Sequence, residues 1–256
     1  MHVDLNLIRH DSEGAAPPLV IVHGLYGSAR NWGVIARRLS DRGPVIAVDQ
    51  RNHGDSPWAE AHGYEEMAAD LAAVIEREGG PVDIVGHSMG GKAAMALALT
   101  RPELLRRAVI ADIAPVGYGH DQSQYIAAMR AVDLGAVGKR SDAVAQLARH
   151  VEDATLQSFF TQSLDVAGKR WKLNLDTLEA DMARIIGWPE IAGRFEGETL
   201  FLSGGESDYV RREDRDTIRA LFPRARFAKI PGAGHWLHAE KPREFEAAVR
   251  AFLDRD

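Results

Sequence analysis

Val82-Asp83-Ile84-Val85-Gly86-His87-Ser88-Met89-Gly90-Gly91-Lys92-Ala93-Ala94-Met95-Ala96-Leu97-Ala98-Leu99 is the stretch on which the reading of the whole chain turns. Its first residues are a short apolar run closed by Gly86, the pattern of a buried strand. From Met89 onward it is apolar nearly all round, the pattern of a buried helix. Ser88 stands between them, inside Gly86-His87-Ser88-Met89-Gly90. A tight strand-to-helix turn of this kind holds a serine in a strained backbone conformation with its oxygen exposed. Gly86 and Gly90 are required where a side chain would strike the neighbouring strand and helix. The helix N-terminus favours a developing negative charge nearby. Ser88 is therefore the candidate nucleophile.

Working outward, further short runs rich in Val, Ile and Leu occupy residues 19–23, 45–49, 108–112 and 199–203. Each is followed by a polar, Gly-bearing or Pro-bearing turn, and each reads as a buried parallel strand. Another strand is predicted at 226–230. The first ten residues alternate loosely, as an antiparallel edge strand or hairpin does. Between the strands, Tyr64, Met67, Ala68, Leu71, Val74 and Ile75 share one helical face, and a final helix is predicted from about Pro242 to Leu253. Alternating strand and helix predict an α/β fold, a mostly parallel sheet covered on both faces.

The alternation breaks once. From about Ile113 to Gly197 no core strand is evident. Helical stretches appear instead at 124–132, 141–151, 154–163 and 174–186. A structureless loop of that length is improbable in a compact domain. The expected organisation is a core in two parts, 1–112 and 198–256, with a helical cap at 113–197 over the ends of the strands.

Composition narrows the functions available. The 256 residues are 45% hydrophobic, enough for a sizeable core, with a net charge of −6. That charge argues against a nucleic-acid partner, which calls for a basic patch. The run Arg211-Arg212-Glu213-Asp214-Arg215-Asp216 mixes signs, as a solvated face does. With no cysteine, disulfides, a thiolate nucleophile and sulfur-ligated metals are excluded. The N-terminus lacks a basic head followed by an apolar stretch, and no apolar run reaches the roughly 18 residues a membrane span needs. The expectation is a cytoplasmic protein without cofactor or metal, monomeric or homodimeric, acting on a small molecule.

A serine needs a base near neutral pH. His235, in Gly232-Ala233-Gly234-His235-Trp236, follows the last strand in a Gly-rich loop at the same edge of the sheet as Ser88. His238 lies three residues on, but no carboxylate stands at ligand spacing to make the two a metal site. His87 reads as packing. A second Gly-rich turn, His23-Gly24-Leu25-Tyr26-Gly27, follows the strand at 19–23. The backbone N–H of Leu25 would join that of Met89 in an oxyanion hole. Trp236, beside His235, and Tyr26 are candidate substrate contacts. Asp49, Asn52 and His53 end a strand near the same edge and read mainly as braces of their loop.

Together with Asp49-Gln50-Arg51-Asn52-His53-Gly54-Asp55-Ser56, Gly90-Gly91-Lys92, Asp112-Ile113-Ala114-Pro115-Val116 and His238-Ala239-Glu240-Lys241-Pro242, these residues resemble the α/β-hydrolase superfamily. More narrowly, the chain is similar to the YbfF-type bacterial esterases, relatives of the mitochondrial α/β-hydrolase-domain-11 protein. The resemblance runs nearly end to end and is weaker in the cap. It implies a serine esterase acting on carboxylic esters of small to medium acyl chains. Thioesters, lactones and other serine-dependent chemistry stay open, as does a ligand receptor on the same scaffold, because fold alone does not choose.

The acid that orients His235 has two candidates. Asp208 follows the strand that most α/β-hydrolases use, although counting from Gly204 places Ser207 there instead. Asp112 closes the preceding strand, where a carboxylate at the edge of the core needs a partner. The resemblance favours Asp112.

Overall fold

The computed structural model describes residues 2–255. β1 (Leu7–His10) is followed by β2 (Leu19–Val22), α1 (Gly33–Leu39), β3 (Val45–Val48), α2 (Tyr64–Arg77), β4 (Val82–His87), α3 (Met89–Thr100) and β5 (Leu105–Ala111). A mainly helical segment comes next: α4 (Ser123–Arg130), α5 (Arg140–Leu147), α6 (Ala154–Gln162), the short strands β6 (Leu164–Asp165) and β7 (Arg170–Trp171), α7 (Leu175–Ala180) and α8 (Met182–Ile186). The chain ends with β8 (Glu198–Gly204), α9 (Asp214–Leu221), β9 (Ala225–Ile230), α10 (Leu237–Glu240) and α11 (Pro242–Leu253).

Seven strands form one sheet in the order β1-β3-β2-β4-β5-β8-β9. Only β1 runs antiparallel, with Leu7 opposite Val48 and His10 opposite Val45. The sheet explains why β2 and β3 are unbroken apolar runs: every residue in both is buried. Successive side chains point to opposite faces. Val20, Val22, Ile46, Val48, Ile84 and Ile110 therefore join one core with α2, α3 and the inserted segment. Leu19, Ile21, Val45, Val85, Val109 and Leu202 join the other with α1 and α11. The architecture is the expected mostly parallel sheet covered on both faces, and the segment between β5 and β8 packs on the first face.

Several boundaries differ from expectation. The predicted helix at 141–151 stops at Leu147. The one at 174–186 is two, divided at Asp181. The pair β6 and β7 is a separate two-stranded ribbon within that segment. α1 and α9 went unassigned. α9 begins inside the mixed-charge run and buries only Ile218, while the Arg215 and Arg219 guanidiniums lie 4.9 and 5.6 Å from the Phe227 ring centre. Among the described residues no helix is long and apolar enough to cross a membrane.

Candidate active site

The C-terminal ends of β4, β5 and β8 converge with the loop after β9. Ser88 has φ 52 and ψ −121, a conformation rarely populated by a residue with a side chain. Its N–H donates to the Ala111 carbonyl at 3.0 Å, tying the turn to the end of β5. The turn is tight enough to demand its glycines. A Cβ on Gly86 would come within 2.4 Å of the Gly90 carbonyl oxygen, and one on Gly90 within 2.4 Å of the Val22 oxygen. Because those contacts are backbone, Gly86→Ala is expected to lower stability by about 1–3 kcal/mol. The displaced turn should also reduce turnover per folded molecule. Urea midpoints, with activity corrected for folded fraction, measure both.

Three side chains from distant parts of the sequence meet here. His235 Nε2 is 3.1 Å from Ser88 Oγ, and His235 Nδ1 is 2.8 Å from Asp112 Oδ2. Asp112 is fully buried at φ 51. Its other contacts are also donors: the Gly204 N–H at 3.0 Å to Oδ1, and the Ser207 hydroxyl to Oδ2. Nδ1 of His235 therefore carries the proton donated to Asp112, and Nε2 presents a lone pair to the Ser88 hydroxyl. Tyr209 stacks on the imidazole, ring centres 3.9 Å apart, and limits its rotation. Asp208 lies apart from this group: it is exposed, and its backbone carbonyl accepts from Arg211 Nε. The alternative acid is thus not brought to His235. Instead Ser207, one residue earlier, supports Asp112 through its hydroxyl.

Such a chain suits proton transfer from a hydroxyl to an imidazole held in one tautomer. Two backbone N–H groups complete the surroundings. Among the described residues, those of Leu25 and Met89 make no hydrogen bond within the protein. The Leu25 loop is held from below. Tyr26, at φ 63, donates its N–H to His53 Nε2 at 3.1 Å, and Gln50 donates its N–H to His23 Nε2 at 3.0 Å. Each ring turns its Nδ1 to a carbonyl, Arg51 for His53 and Gly24 for His23. These contacts fix the tautomers, since Nδ1 must donate and Nε2 must accept. Asp49 receives the N–H groups of Ala29 and Asp55 and the side-chain amide of Asn6. Asp49 and His53 thus brace the loop.

Neutral imidazoles are built into this edge of the sheet. Burial pushes His53 down to about 3, with help from neighbouring His23. Burial likewise pushes His238 down to about 3, with His235 adding to it. His238 stacks on Trp32 at 4.2 Å between ring centres, and its Nδ1 has no hydrogen-bond partner among the described residues. The unfolded chain protonates such a histidine near 6.5, whereas the folded chain does so only near 3. Between those values the unfolded state binds more protons, so stability falls as pH falls. Each such imidazole removes about 1.4 kcal/mol per pH unit across that window. Replacing the ring with one that cannot titrate, in His238→Phe, is expected to flatten the dependence by about that slope. Urea unfolding between pH 7 and 5 measures it; equal slopes would contradict the neutral assignment.

Ser88 and His235 line one pocket. Leu156, Phe160, Ile185 and Ile186, all from the segment between β5 and β8, supply apolar wall. The lining suits a small organic molecule. Tyr26 and Trp236 both line it. Tyr26 is buried with its hydroxyl donating to the Gln122 carbonyl, whereas Trp236 is partly exposed and packs on Phe159. His87 also lines the pocket and donates from Nε2 to the His235 carbonyl at 2.8 Å, holding the loop that carries His235. The sequence reading gave no site role to Lys92, which it quoted only for the resemblance, or to Tyr118 and Tyr209. Their contacts join elements far apart in the chain, and only Lys92, a lysine in an apolar helix, carried a local signal.

A profile of the alpha/beta hydrolase family matches residues 19–248. The chain is 41% identical over 254 residues to mouse sn-1-specific diacylglycerol lipase ABHD11, covering 95% of this chain and 83% of that protein. It is 40% identical over 243 residues to esterase YbfF of Escherichia coli K12, covering 93% of each. Among solved structures, a marine microorganism esterase superposes with a TM-score of 0.91 at 36% identity, covering 98% of this chain and 99% of that one.

Proposed function

The chain belongs to the α/β hydrolase family, and on that premise we propose that it is a serine esterase with Ser88 as nucleophile, His235 as general base and Asp112 as the acid that orients it. The observation that carries the reading is the continuous relay from Asp112 through His235 to Ser88, at 2.8 and 3.1 Å, opening on one pocket. Relatives named as an esterase and as a lipase support carboxylic esters as the substrate class.

The Ser88 hydroxyl attacks the ester carbonyl while its proton passes to His235 Nε2. The carbonyl oxygen gains negative charge, and the N–H groups of Leu25 and Met89 receive it. Each donor so placed is worth roughly 3 kcal/mol of barrier. The intermediate collapses, the C–O bond to the alcohol breaks, and the imidazolium returns its proton to the departing oxygen. Water, deprotonated by the same imidazole, then releases the acid and restores the Ser88 hydroxyl. Side chains and water carry every step, so no metal or cofactor is required. The proposed substrate is a small-molecule ester of short to medium acyl chain, its acyl group received by the apolar wall of Leu156, Phe160, Ile185 and Ile186. The absence of cysteine from the sequence fits a reducing, cytoplasmic setting.

A series of p-nitrophenyl esters from acetyl to palmitoyl, run beside the matching thioesters, tests substrate class and chain length together. Multiple turnovers of short and medium oxygen esters are expected. Stoichiometric binding without turnover would point to a receptor and sink the proposal.

A further inference from the structure

Lys92 lies one helical turn beyond Ser88, its backbone N–H donating to the Ser88 carbonyl at 3.0 Å. Side chains at this spacing share a face of the helix. That of Lys92 is only 1% exposed and lines the same pocket as Ser88. Its ammonium donates to the carbonyls of Ile186, at 3.0 Å, and Gly187, at the end of α8. It also lies 4.7 Å from the Tyr118 ring centre and 5.7 Å from that of Tyr64.

These contacts stabilise a cation but supply no counter-charge. No carboxylate pairs with Lys92 among the described residues, and burial alone pushes its pKa down to about 7. The phenols beside it are committed elsewhere: Tyr118 donates to the Tyr209 carbonyl and Tyr64 to that of Ile185. An ammonium has three N–H donors, and the two carbonyls use two. A strut between α3 and α8 would account for those two bonds. It would not account for the third donor, which is left at the wall of the space where substrate binds, and holding the amine charged there without an opposite charge is costly. An anion entering the pocket would meet the free donor and offset that cost.

We propose that Lys92 is a specificity residue that pairs with a carboxylate on the substrate, so that esters bearing an anionic group are preferred to neutral esters of the same shape. The proposal rests on the serine-esterase reading above. Both residues line one pocket, so the carboxylate and the scissile carbonyl would belong to the same small molecule.

Matched substrates read this directly. Phenyl hydrogen adipate against phenyl adipamate places the charge on the acyl side. 3-Acetoxybenzoate against 3-acetoxybenzamide places it on the leaving group. In one arm, wild type should favour the anionic member by about tenfold or more in kcat/KM, the scale of a charge-assisted hydrogen bond. Lys92→Met should lose that preference, and Lys92→Arg should keep part of it. A wild-type ratio near one in both arms overturns the proposal, whether or not the variants fold. So does a preference that survives unchanged in Lys92→Met. Failure of the esterase reading looks different: the neutral esters would then be hydrolysed no faster by wild type than by Ser88→Ala.

Discussion

Ser88→Ala is expected to lower kcat for short p-nitrophenyl esters by about 10⁶-fold and to abolish labelling by a serine-directed phosphonate. The size follows from how the groups act. In the proposed mechanism His235 takes a proton only from Ser88, which it contacts, and Asp112 only orients His235, so removing the hydroxyl would idle all three. A residue of about 10³–10⁴ over the uncatalysed reaction should remain, because the Leu25 and Met89 amides still receive the carbonyl oxygen when water attacks. The fold should survive. Alanine at 88 bears the same left-handed strain as serine, and among the described residues the only side-chain bond lost is the one to His235. Thermal melting should therefore change little while labelling disappears. Equal labelling of wild type and variant would place the nucleophile elsewhere.

The same physics decides how much the sequence could reveal. β2 and β3 were readable because a strand buried on both faces is apolar at nearly every position. α9 was not, because it buries one residue, Ile218, and its charges form a helix only where the chain packs it. α1 has seven residues, too few for a periodic signal to stand out. In the site, Ser88 and His235 carry local signals, a glycine-flanked turn and a glycine-rich loop after a strand. Asp112 does not, beyond being a carboxylate that closes an apolar strand. Its environment is assembled from Gly204, Ser207 and His235, which lie 92, 95 and 123 residues away. Counting residues from Gly204 or Gly205 could not separate Asp208 from Ser207. A side chain facing outward and one facing Asp112 differ by a single position, and the turn after β8 sets which is which.

That single position gives the second large effect. Asp112→Asn is expected to reduce kcat by about 10⁴-fold with little change in KM, whereas Asp208→Asn should leave both nearly unaltered. An amide at 112 would keep an oxygen for the Gly204 N–H, so packing should persist. It would lose the charge that stabilises the imidazolium formed as Ser88 is deprotonated, and its NH₂ facing His235 would favour the wrong tautomer. The Ser207 hydroxyl, which donates to Oδ2, would lose its acceptor if the NH₂ replaced that oxygen. Asp208 offers nothing comparable, being exposed to water. Ser207 allows a stricter check. Its hydroxyl already touches the carboxylate that His235 contacts, so a carboxylate at 207 stands within reach of the same ring nitrogen. The double variant Asp112→Asn/Ser207→Asp should then recover part of the activity lost in Asp112→Asn. If Asp208→Asn were instead the more damaging single change, the loop after β8 would have to reorganise when substrate binds, and Asp112 would be left with the task of anchoring β5 to β8.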